Sequence, residues 1–90
     1  MVRPLIAGNW KMNGRQADGL ALAGELARRA RRADAARSAF DLLVCPPFTL
    51  LLAVAEAIAD SPVALGAQDC HTAASGAHTG DVAASMLADV

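Results

Sequence analysis

Three short apolar runs, each followed by a longer stretch, constrain the fold most. The runs are residues 5–8, Asp41–Cys45 and residues 63–67. Short strands alternating with helices define a parallel sheet joined by right-handed crossovers. The second and third runs are almost wholly apolar, as strands covered on both faces are. Two architectures follow from this alternation, a doubly wound domain and a (β/α)8 barrel. A barrel takes about 250 residues, and this chain has 90. The pattern therefore reads as the front part of a larger α/β structure, with residues 1–90 inside a single domain.

The helical stretches follow from spacing. Over residues 16–33, Leu22, Leu26 and Ala30 fall at i, i+4 and i+8 beside Ala23 and Ala27, and Glu25, Arg28, Arg29 and Arg32 share the other side. Glu25 and Arg29 form a favourable i, i+4 pair. The run Arg28–Arg32 reads as a solvated face near a helix C-terminus, where cations suit the macrodipole. Pro46-Pro47 ends the second strand, because proline has no ladder donor. Residues 48–59 read as a second helix with Leu51, Val54, Ala55 and Ile58 on one face. A polar, glycine-containing loop spans residues 69–80 and is long for a compact chain. A third helix is expected over residues 81–90, with Thr79 as N-cap and Val82, Ala83, Met86 and Leu87 facing inward.

Composition excludes several functions. Lys plus Arg is 8 and Asp plus Glu is 9, a net charge of −1, which gives no electrostatic case for nucleic acid or an anionic membrane. No apolar run approaches the roughly 20 residues of a membrane span, and no signal peptide is recognisable, so the expected location is cytoplasmic. Aromatics are only 3% of a chain that is 54% hydrophobic, so aliphatic side chains must build the core. Cys45 and Cys70 read as reduced thiols packed as small hydrophobes, and no metal-ligand spacing is present.

In both architectures ligands bind at the C-terminal ends of the strands. That places Asn9 and Lys11 after the first strand, Cys45 to Pro47 after the second, and Gln68 to His71 after the third. Lys11 is the only lysine beside seven arginines. An ammonium there can hold a phosphate or a developing oxyanion. An exposed loop lysine and a turn asparagine fit the position equally well. No GxGxxG or GxxxxGK[ST] motif follows a strand. His71 and His78 lie together in the long loop and could act as bases, but loop histidines read first as solvated surface residues.

The stretch "IAGNWKMNG" (residues 6–14) resembles the N-terminal signature of the triosephosphate isomerase family. "LLVCPPFTLL", "LGAQDCH" and "SGAHTGDVAASML" resemble segments that follow it there, in the same order. The resemblance implies a (β/α)8 TIM barrel, of which this chain supplies the first three strand–helix units. It implies interconversion of dihydroxyacetone phosphate and D-glyceraldehyde 3-phosphate through an enediol(ate), with no metal or organic cofactor. It also implies a glutamate base, a histidine electrophile and a closing loop, a scheme for which this family is itself a standard example. Residue by residue, Asn9 matches a substrate-binding asparagine and Lys11 a catalytic, electrostatic lysine that also binds substrate. Trp10 between them is expected to pack inward. Thr79 and Met12 match positions at a homodimer interface, Thr79 on the arm reaching into the partner. The family often has Asn where Asp69 stands, an aromatic where His78 stands and Glu where Asp81 stands. Its histidine and glutamate motifs and its phosphate-gripping glycines lie downstream of the matched segments, so the 90 residues alone are expected to be inactive. The alternatives are a non-catalytic α/β module or complementing fragment that uses exposed sheet edges, and another barrel enzyme acting on a phosphorylated substrate.

Overall fold

Strands β1 (Leu5–Asn9), β2 (Asp41–Cys45) and β3 (Val63–Leu65) form one all-parallel sheet in the order β1-β2-β3, as the strand–helix alternation requires. The computed structural model describes residues 2–35 and 39–90. The register runs from Leu5 opposite Asp41 to Asn9 opposite Cys45, and from Leu42 opposite Val63 to Val44 opposite Leu65. All three C-terminal strand ends therefore fall on one rim. β3 stops at Leu65, short of the expected residue 67, and Gly66 N–H still donates to the Val44 carbonyl at 2.8 Å.

Helix α1 (Gln16–Ala35) begins with half of a capping box: the Asp18 carboxylate accepts the Arg15 N–H at 2.7 Å. Its contact stripe is made of small residues. Ala23, Ala27 and Ala30 are buried, whereas Leu22, expected in the core, is 55% exposed. Close approach of α1 to its neighbours leaves room for methyl groups, and the larger side chain turns outward. On the outer face Glu25 binds both Arg28 and Arg29, the latter at 2.8 Å. Arg28 foremost, then Arg29, holds the Glu25 carboxyl at about 2, below its ordinary 4.5. The interaction thus supports the fold above about pH 4.5 and fades as pH falls toward 2; exposure keeps it small.

The second helical stretch is a 3-10 turn (Phe48–Leu50) running into α2 (Leu51–Ala57). Leu50, Val54 and Ile58 are buried with the α1 alanines, Val44 and Val63 in one core cluster, against which Trp10 packs as expected. Burial of a side chain such as Leu50 contributes roughly 1.5–3 kcal/mol. The third helix differs most from expectation. It is short, α3 (Ala84–Ala88), and its N-cap residue is Ala83 and not Thr79. The extended backbone of Ala83 and the pairing of His71 with Ala83 delay the helix start. Ala83 is buried, but Met86 is 55% exposed. Cys45 is half-buried, whereas Cys70 is exposed and unpacked. Every residue of β1 is exposed, so one edge and much of one sheet face lie open among the described residues.

Two glycines of α1 give opposed expectations. A Cβ at Gly24 meets nothing within 4 Å, so Gly24→Ala raises stability by about 0.5–1 kcal/mol through helix propensity. A Cβ at Gly19 lies 2.9 Å from Leu50 Cδ1, inside the core. There overpacking of roughly 1–3 kcal/mol offsets or exceeds the same gain. Thermal unfolding of both variants beside the parent checks this, and equal shifts in both contradict it.

Candidate functional site

The rim is assembled from the three strand ends. β1 continues past Asn9 far enough for Trp10 N–H to donate to the Cys45 carbonyl at 3.1 Å. The chain then turns, and Lys11 adopts a left-handed backbone with φ 55°. Among the described residues it is the one non-glycine residue with positive φ. For an L-residue other than Gly or Asn this conformation costs about 1–2 kcal/mol, and such strain clusters at functional sites.

Two side-chain amides hold that conformation. Asn9 Oδ1 accepts the Lys11 N–H at 2.9 Å, which leaves the Asn9 Nδ2 group as the remaining donor. Gln68 Nε2 donates to the Lys11 carbonyl at 3.0 Å and to the Cys45 carbonyl at 2.8 Å. Asn13 Nδ2 donates to the Trp10 carbonyl at 2.9 Å and closes the turn. Gly14, with φ 105°, supplies a second left-handed step. Lys11, Met12, Pro47, Phe48, Gln68 and Asp69 line an open recess at this rim. Among the described residues no carboxylate forms an ion pair with the Lys11 ammonium, and the one carboxylate lining the recess, Asp69, accepts the Cys70 N–H at 2.8 Å.

The expected site residues thus divide. Asn9 and Lys11 meet directly. Met12 lies beside them with 95% of its surface exposed. Thr79 is exposed near the C-terminal end of the long loop and is not among the residues lining that recess. That loop is tied at its base by the His71 N–H to the Val82 carbonyl at 2.9 Å. His71 and His78 are not separately solvated but stack, with ring centroids 4.0 Å apart, and His71 Nδ1 accepts the Ala73 N–H at 2.9 Å. Gln68 is the rim residue whose part was not assigned from sequence. Its signal in the sequence is a carboxamide directly after the third apolar run, residues 63–67.

A parallel sheet fed by helices, with its unpaired cation and carboxamides gathered at the C-terminal rim, is the construction of the β/α proteins that bind ligands at their strand ends. A family model described as triosephosphate isomerase matches residues 4–90. The chain is 54% identical over 88 residues to the triosephosphate isomerase of Afipia carboxidovorans and 57% identical over 89 residues to that of Bradyrhizobium sp. (strain ORS 278). Each match takes in 98% of this chain and 34% of the relative. The crystal structure of triosephosphate isomerase from Bartonella henselae matches with a TM-score of 0.77 at 40% identity, over 98% of this chain and 34% of that one. The chain belongs to the triosephosphate isomerase family. It spans about a third of the length of these relatives, and its three parallel units are the first three strand–helix units of a TIM barrel.

Proposed function

We propose that these residues form the N-terminal part of a single barrel domain whose enzyme interconverts dihydroxyacetone phosphate and D-glyceraldehyde 3-phosphate, as a homodimer in the cytoplasm. The observation that carries this reading is the Lys11 ammonium, held on a strained backbone beside Asn9 at the strand-end rim. Backbone strain kept at a polar, exposed position has no packing benefit to offset it, whereas a fixed cation facing an anionic substrate does have a use. When a proton is removed next to the substrate carbonyl, negative charge grows on the carbonyl oxygen. Lys11 favours that charge and the substrate phosphate, while the free Asn9 Nδ2 donates a hydrogen bond to bound substrate. No metal or organic cofactor is needed for this role. Base and electrophile are supplied by parts of the barrel other than these 90 residues. Met12, exposed at the rim, and Thr79, exposed on the long loop, are assigned to the contact between subunits.

The test is a coupled assay of D-glyceraldehyde 3-phosphate turnover by the full-length protein that carries these residues. Turnover that is saturable and inhibited by inorganic phosphate is expected. A folded full-length protein with no turnover in either direction overturns the reading.

A further inference from the structure

We propose that Gln68 is a positioning residue that sets the Lys11 ammonium by clamping its backbone, an inference that rests on the catalytic reading of Lys11 above. Lys11 is gripped at both peptide groups. Asn9 Oδ1 takes its N–H at 2.9 Å, and Gln68 Nε2 gives to its carbonyl at 3.0 Å. The second Gln68 bond, to the Cys45 carbonyl at 2.8 Å, anchors the clamp to the end of the central strand. Because both partners are carbonyl oxygens, only the NH2 end of the amide satisfies them. Both hydrogens of that group are then used, and no shorter or purely accepting side chain replaces it. The carboxamide comes from beyond β3, 57 positions from Lys11, so the third strand end fixes the conformation of the first. Left-handed lysine backbone is unfavourable by itself. Without the clamp it relaxes, and the ammonium moves with it.

The experiment is a double-mutant cycle in the full-length protein, read as kcat/KM for D-glyceraldehyde 3-phosphate. Gln68→Met keeps length and removes both donors. It lowers kcat/KM about 10- to 100-fold, the scale of a misplacement near 1 Å. In the Lys11→Ala background the same change costs less than threefold, because nothing remains to be positioned. Gln68→Glu serves as a second variant. At this exposed position its carboxyl stays ionised across the assay range, so it donates to neither carbonyl and lowers kcat/KM at least as far as Gln68→Met. Parent-like kcat/KM for Gln68→Met, or an equal loss with and without Lys11, overturns the proposal. A large loss for Lys11→Ala with none for Gln68→Met leaves the function standing and removes only the clamp. No loss for Lys11→Ala removes the catalytic role of Lys11 itself.

Discussion

Replacing Lys11 by alanine in the full-length protein lowers kcat/KM for D-glyceraldehyde 3-phosphate by about 10²–10³-fold, or roughly 3–4 kcal/mol of transition-state stabilisation. The size follows from what the side chain does and does not touch. Its ammonium has no protein carboxylate among the described residues, so its removal breaks no internal pair and the loss appears in substrate and transition-state binding. Lys11→Arg restores only part of the activity, because a planar guanidinium does not reproduce a compact point charge at one spot. Lys11→Gly gives a sharper contrast. Glycine adopts φ 55° without the steric cost a lysine bears there. Activity falls as in the alanine variant, while the unfolding temperature stays level or rises. Steady-state kinetics and thermal unfolding on the three variants check this, and a kcat/KM within twofold of the parent for Lys11→Ala rules out the electrostatic role.

The parts of the chain that are legible in its sequence are those whose structure is set by local chemistry. Local chemistry placed β2 to the residue, because Asp41–Cys45 is an apolar run closed by two prolines. The same reasoning located α1, whose charged face Glu25–Arg28–Arg29 and buried Ala23 and Ala27 follow the helical period. It misplaced Leu22, since periodicity alone does not tell whether a contact stripe is wide enough for leucine or only for alanine. It misread the start of α3, because Thr79 and Asp81 carry good capping chemistry while the bond of His71 to Val82 keeps the backbone extended to Ala83. At the site, Asn9 and Lys11 were marked by strand-end position, and the family resemblance gave them roles. The left-handed turn at Lys11 was illegible. No local propensity favours it, and the Gln68 amide that sustains it comes from the far end of the sheet.

A polypeptide of these 90 residues alone is expected to show no isomerase activity. Proton transfer at carbon needs a base at the rim, held against the substrate and shielded from water. Glu25 is bound to Arg28 and Arg29 on the outer face of α1, and Glu56 is exposed on α2. Asp69 lines the recess with Lys11, but its Oδ1 accepts the Cys70 N–H at 2.8 Å and the residue stands in open solvent. His71 is turned toward Ala73 N–H and the His78 ring. Lys11 and Asn9 supply a charge and a donor, which bind and stabilise but move no proton. The fully exposed β1 leaves nothing among the described residues to exclude water. Turnover of D-glyceraldehyde 3-phosphate by the purified polypeptide is therefore expected to match the buffer rate, and to match a Lys11→Ala version of the same polypeptide. The expectation is the same whether the isolated polypeptide folds or not. A rate above buffer that disappears in the Lys11→Ala version contradicts it, and would mean that Asp69 or a histidine serves as a base from an open rim.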